Sequence, residues 1–182
     1  FQLSHSEEKP EPEEEPQQVD PLSSDRGPEE KVIDIMENQR GVSFEKLFGP
    51  YLKNARAIKV FDPYIRLQYQ IYNFMSFCEI LETSQDSLKL DLATNCDAFQ
   101  EVELKDKLDE LKKGLLQDHI DFDYTLDDDL HDRWIETDTG WRIILGRGLD
   151  IFQKSDDKFT LGFTDQTKRK CKATTITYSR IV

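Results

Sequence analysis

His131, Arg133 and Asp138 lie in the stretch HDRWIETDTGW, and Gly146-Arg147-Gly148 follows it. Together they hold the parts of a phosphoryl-handling site. An imidazole can attack phosphorus as a nucleophile. A cation beside it can hold phosphate oxygens, and an aspartate can fix the imidazole tautomer. With lysine at position 133 the set would read as a phosphoesterase. Arginine is larger, planar and permanently charged, which suits holding phosphate better than compact participation in a displacement. Double displacement also needs a second histidine as general acid. His5 and His119 have unlike neighbourhoods, so that histidine would have to come from a second copy of the chain. Three readings stand: a site that holds a phosphate-bearing ligand without turnover, a dimeric phosphodiesterase or nuclease using His131 with Asp138, and a purely structural cluster of His131, Asp132 and Arg133.

Further candidates for ligand binding surround this stretch. Asp62, Tyr64 and Arg66, in DPYIR, follow a predicted strand, and open α/β sheets place ligands outside the carboxyl ends of their strands. The competing role for Asp62 is to cap the next helix, with Pro63 starting it. Arg147 sits between glycines that permit close backbone approach. It makes an anion clamp with Arg133, or else an ion pair with Asp138 or Asp150. Lys168, Arg169 and Lys170, with Lys172, form the densest basic run, which would attract anionic lipid headgroups or nucleic acid. No aromatic residue interrupts the run before Tyr178, so nucleic acid is the weaker partner. No CxxC, HExxH or Cys/His cluster is present, and neither a metal nor another cofactor is expected. Cys78, Cys96 and Cys171 are odd in number and widely spaced, which reads as free thiols in a reducing cytosol.

These residues need a scaffold. Val32, Ile35 and Met36 recur at helical spacing in EEKVIDIMENQ and predict a short helix. A second helix starts at Ser43, a candidate N-cap, with Phe44, Leu47, Phe48, Tyr51 and Leu52 on one face. Ala57–Phe61 reads as a strand, ended by Asp62-Pro63. IRLQYQIYNFMSFCEILET is a strongly apolar helix and SLKLDLATN an alternating strand. FQEVELKDKLDELKKGLLQDH is an amphipathic helix with Val102, Leu104, Leu108, Leu111, Leu115 and Leu116 inward. IDFDYTL alternates again. HDRWIET and GWRIILG are strands joined through Asp138-Thr139-Gly140, which would put His131 and Arg133 on one face. KFTLGFTD and KATTITYSR complete the strands. Helix and strand alternate first and strands alone follow, which predicts an α/β layered domain with a mixed sheet covered by helices.

The 182 residues allow one domain and a tail. The net charge of −13 is uneven: residues 1–40 carry 12 acidic and 4 basic side chains, whereas residues 131–182 carry 7 and 10. Residues 1–28 are rich in Glu, Pro, Gln and Ser and read as a disordered acidic linker, with the folded domain over 29–182. That linker, and a first residue other than Met, point to an upstream domain of the same polypeptide. No run of about 18 apolar residues predicts a membrane span. The expected location is cytoplasmic, with contact to a membrane surface at most.

His131, Arg133 and Asp138 match the spacing of the phospholipase D motif, His-x-Lys-x4-Asp, with Arg133 departing from its lysine and Gly146 and Gly148 near its trailing glycines. More specifically, FEKLFGPYL, DPYIR, YNFMSFCEIL, HDRWIETDTGW, GRGLDIF and LGFTD resemble, in that order, the C-terminal domain of MIT-domain-containing proteins. The resemblance covers about residues 41–180. It implies a phospholipase D-like α/β sandwich and a homodimer. For animal members it implies binding of acidic phospholipids, beside ESCRT partners held by a separate MIT domain. A similar domain is appended to bacterial multidomain proteins, including Lon-like ATPases, so the resemblance leaves the host protein open.

Overall fold

A computed structural model describes residues 27–81, 87–154 and 165–181. The expected disordered linker lies outside them except for Gly27 and Pro28, and so does nearly all of the expected strand KFTLGFTD. Seven strands and three α-helices run in the order β1 (Lys31–Ile35), α1 (Phe44–Leu52), β2 (Ala57–Phe61), α2 (Gln68–Cys78), β3 (Leu88–Thr94), α3 (Glu101–Gln117), β4 (Ile120–Leu126), β5 (Trp134–Thr137), β6 (Trp141–Leu145) and β7 (Thr174–Arg180). One sheet holds all seven strands, in the order β1-β7-β6-β5-β2-β3-β4. β2, β3 and β4 are parallel neighbours, joined through α2 and α3. β5 turns the direction over against β2, and β6, β7 and β1 continue antiparallel. The α/β class and the mixed sheet are as expected.

The first element differs from its expectation. Lys31–Ile35 is a strand paired antiparallel with β7, not a helix. Ile33 and Ile35 are buried while Val32 and Asp34 face outward, a period of two. The helical spacing of Val32, Ile35 and Met36 was coincidental. The β-branched run Val32-Ile33 and the pairing offered by β7 decide the conformation. In α3, Leu104, Leu108 and Leu115 are buried and Leu111 packs against the core, but Val102 and Leu116 are exposed. Those two lie off the i, i+4, i+7, i+11 stripe that faces the sheet.

The helices all lie against one face of the sheet. Tyr51 of α1 stacks on Tyr178 of β7 at 4.3 Å and meets Trp141 of β6 edge-on. The buried Tyr178 hydroxyl donates to the Leu47 carbonyl at 3.0 Å, satisfying its one polar group. Phe74 of α2 packs on Phe122 of β4, and Tyr124, on the same side of that strand, donates to Asp109 of α3. Ser43 caps α1 by accepting from the Lys46 amide, as expected.

No described helix covers the opposite face. Its side chains fall into rows because the strand registers align. One row crosses all seven strands: Val32, Thr177, Ile144, Trp134, Phe61, Ala93 and Thr125 are successive partners. It is largely apolar, with Val32 62 % and Ile144 47 % exposed and the Phe61 and Trp134 rings stacked at 4.3 Å. The next row is charged: Arg142, Glu136, Lys59, Asp91 and Asp123. Among the described strands the edges are β1 and β4, and β4 turns Asp121 and Asp123 outward, which discourages edge-to-edge pairing.

This one-sided burial predicts an asymmetric response to truncation. Phe122→Ala, on the helix side, should cost about 3–5 kcal/mol. Ile144→Ala, on the open side, should change stability by roughly 0.5 kcal/mol or less. Urea unfolding of the two variants checks this, and equal losses would mean that both faces are packed.

Candidate functional site

The sheet changes from parallel to antiparallel between β2 and β5, and the site lies there. The carboxyl end of β2, the start of β5, the end of β6 and the start of β7 all meet at one edge, because Phe61 pairs with Trp134, Trp134 with Ile144 and Leu145 with Ile176. The segments leaving those ends enclose a cleft of about 460 Å³. Asp62 and Tyr64 come from the segment after β2, Arg133 from the residue before β5, and Gly146, Arg147 and Asp150 from the segment after β6. Thr174 and Thr175 come from β7, and Gln70 and Asn73 from α2.

Asp62 holds the cleft together. It is 3 % exposed, and its two carboxylate oxygens have separate work. One accepts from the Tyr64 amide at 3.0 Å, closing its own turn, and the other accepts from the Leu149 amide at 3.2 Å. The second bond needs Gly148. That residue has φ +63°, and a Cβ there would lie 2.0 Å from the Asp62 carboxylate. Burial raises the Asp62 pKa above the ordinary carboxylate value; the two amide bonds and the Arg133 guanidinium oppose this only in part.

The two cleft arginines are held by backbone carbonyls, not by carboxylates. Arg133 donates to the Gly146 carbonyl at 2.8 Å and lies over the Tyr64 ring, 4.5 Å from its centroid. Arg147 donates from Nε to the Ala173 carbonyl at 3.0 Å. Neither has an ion-pair partner among the described residues. The other carboxylate of the lining, Asp150, is taken by Lys172 at 2.7 Å. The expected Arg147 pairs with Asp138 or Asp150 do not form.

Other expected members of the site lie elsewhere. His131 and Arg133 do not share a strand face, because β5 begins only at Trp134. His131 is exposed and borders a second depression with Asp132, Trp134 and Arg142, which adjoins the cleft because Arg133 and Gly146 line both. Asp138 sits beyond the other end of β5, about 17 Å along the chain direction from Arg133, where its carboxylate accepts from the Arg56 amide. It therefore cannot fix the His131 imidazole within one chain. Arg66 pairs with Asp97 at 3.6 Å and does not line the cleft. The basic run is largely spent on structure. Lys168 pairs with Asp165 at 3.5 Å, and Arg169 lies over Phe152 and donates to the Gln153 carbonyl. Lys170 is exposed and lines none of the cleft. Among the described residues no cluster of His, Cys, Asp and Glu could hold a metal ion.

Sequence reasoning had not placed Gln70, Asn73, Thr174 or Thr175 in the site. Gln70 and Asn73 stand at i and i+3 on a helix whose buried face is Ile71, Phe74, Phe77 and Cys78. That spacing puts both on one flank, a signal visible in the sequence. Thr174 and Thr175 gave no such signal, since they look like ordinary strand residues.

The Asp62 tie is testable by pH and by substitution. A carboxyl whose pKa is raised by folding contributes stability that is full below its unfolded pKa and lost as pH rises through its folded pKa. Asp62→Asn cannot titrate. The stability of the wild type relative to this variant should therefore fall as pH rises from acid toward neutral, in thermal melts of both proteins. Gly148→Ala should lose about 2 kcal/mol or more at any pH, from backbone strain and the clash with Asp62.

Comparison with known proteins agrees with this architecture. Residues 41–180 match the family model described as the phospholipase D-like domain at the C-terminus of MIT. The chain is 35 % identical over 149 residues to mouse MIT domain-containing protein 1. The match covers 80 % of this chain and 60 % of that protein, so the chain spans about 60 % of the length of this relative. A seven-stranded mixed sheet, a cleft at the switch in strand direction and a family match over most of the chain lead to one assignment: this chain belongs to the family of phospholipase D-like domains found at the C-terminus of MIT proteins.

Proposed function

We propose that this domain is a binding module that holds a phosphate-bearing ligand, such as an acidic phospholipid headgroup, in the cleft between Arg133 and Arg147 without hydrolysing it. One observation carries the reading. The cleft contains two guanidinium groups and two carboxylates, but they are not paired with each other. Asp62 is engaged by backbone amides and Asp150 by Lys172, which leaves both arginines with donors to spare. Guanidinium groups held by carbonyls keep their full charge and present planar, paired N–H donors, the geometry that phosphate oxygens accept. Asn73, Gln70, Thr174 and Thr175 supply neutral hydrogen-bond partners around them.

The geometry favours holding over turnover. His131 does not line the cleft, and Asp138 is at the far end of its strand. Arginine in place of the motif lysine favours a clamp over participation in displacement. A hydrolytic reading would require His131 of a second copy to enter the cleft. Pairing of copies, which the resemblance implies, is part of the proposal.

Inorganic phosphate at millimolar concentration should raise the Tm of the wild type, and the shift should shrink as salt rises. Arg133→Ala should abolish most of the shift, whereas Lys168→Ala with Lys170→Ala should leave it nearly intact, because those lysines lie outside the cleft. No shift in the wild type, or equal loss in both variants, would remove the cleft as an anion site. Phosphate release from a generic phosphodiester that disappears in His131→Ala would replace binding with catalysis. Light scattering tests the pairing of copies; a monomer mass at high protein concentration would count against it.

A further inference from the structure

The chain carries its own anion for the cleft. The run EEKPEPEEE, Glu7–Glu15, holds six glutamates and one lysine. A carboxylate offers a guanidinium the same pair of acceptor oxygens that a phosphate does. Arg133 and Arg147 are held by the Gly146 and Ala173 carbonyls and have no ion-pair partner among the described residues. The carboxylates of the cleft itself do not fill that place, since Asp62 is engaged by two backbone amides and Asp150 by Lys172. The division of charge along the chain favours a distant partner. Residues 1–40 carry 12 acidic and 4 basic side chains, whereas residues 131–182, which supply both arginines, carry 7 and 10.

Reach decides which acidic residues qualify. β1 lies antiparallel to β7, with Lys31 opposite Tyr178 and Ile35 opposite Thr174. Thr174 lines the cleft, so the chain enters the sheet four residue pairs away from it. With four more residues back to Gly27, and three strand spacings from β1 to β5, the cleft lies within about 30 Å of Gly27. Asp25 and Asp20, two and seven residues before Gly27, span only about 7 and 23 Å at full extension and fall short. Glu15 to Glu7, 12 to 20 residues before it, span about 40 to 66 Å and reach with slack. We infer that Glu7–Glu15 docks in the cleft of its own chain, its carboxylates accepting from Arg133 and Arg147, and competes there with a phosphate-bearing ligand. The tether supplies the run at roughly millimolar effective concentration. Pro10, Pro12 and Pro16 restrict its backbone, which lowers the entropy lost on docking. The basic run is a weaker host, because Lys168, Arg169 and Lys172 are already engaged by Asp165, Gln153 and Asp150.

This inference rests on the cleft as an anion site, and the test separates the two. A nitroxide is placed on Gln17→Cys of the full chain, beside the run but outside it; Cys78, Cys96 and Cys171 are buried and out of its way. The label should broaden the side-chain amide signals of Gln70 and Asn73, which line the cleft. That broadening should disappear on adding inorganic phosphate, and should be absent in Arg133→Ala. In parallel, the phosphate concentration at half-maximal Tm shift is compared between wild type and a variant with Glu7, Glu8, Glu11, Glu13, Glu14 and Glu15 all changed to Gln. A run that fills the cleft about two-thirds of the time raises the apparent Kd about threefold, so the midpoint of the variant should be lower by that factor. Equal midpoints in the two proteins would overturn the role of the run and leave the cleft standing. So would broadening that misses Gln70 and Asn73 or gathers around Lys170 instead. Absence of phosphate stabilisation in wild type would remove the cleft reading, and this inference with it.

Discussion

The bond from the Leu149 amide to the Asp62 carboxylate is the constraint on which the site depends. It joins the segment after β2 to the segment after β6, which are 87 residues apart in the chain. The same carboxylate orders Tyr64, and Tyr64 supports the Arg133 guanidinium, which in turn donates to Gly146 beside Arg147. A single buried acid thus sets the relative positions of both arginines without neutralising either. The cost is a carboxylate out of water, offset by two backbone donors and a nearby cation. Gly148 is the condition for this arrangement, since any side chain there would occupy the space of the carboxylate.

The phospholipase D-like spacing is present in the sequence, but within one chain it does not bring His131 and Asp138 together. A motif that starts in a loop and runs the length of β5 separates its ends by the full strand. Arg133 is retained in the cleft because its backbone is still tied to β6, the Leu145 amide donating to its carbonyl. His131, two residues earlier, lies outside β5 and borders the adjoining depression, which shares Arg133 and Gly146 with the cleft. Position along an extended chain, not residue type, separates a cluster in the sequence from a cluster in space.

Much of the scaffold was legible because it rests on local pattern. α1 showed its stripe and its cap, β2 and β4 their alternation, and the α/β class followed from element order. The exception, β1, was too short for its period to distinguish two from 3.6, and only its pairing with β7 settled it. The site was legible in part. Asp62, Tyr64, Arg133 and Arg147 were named from residue type and from their place near strand ends. Arg66 lies outside the cleft because its partner, Asp97, is set by a tertiary contact; the Lys168–Lys170 run, read as a basic edge, has partners in Asp165, Phe152 and Gln153 that its sequence did not show. Lys172, which occupies Asp150, was visible only as part of the basic run, with nothing to mark Asp150 as its partner. It is one cation among several in a basic run, and only its geometry gives it a role.

The apolar row on the open side of the sheet bears on how the domain behaves in concentrated solution. Each of the seven strands contributes one residue, so no segment of the sequence is itself sticky, yet the row extends about 29 Å across the sheet. The adjoining row of charged residues acts as its gatekeeper, since two such surfaces cannot stack freely without desolvating those ions. That protection is electrostatic and weakens as counterions screen it. Colloidal stability in this domain is therefore a property of strand register: it belongs to the assembled sheet and has no address in the primary structure.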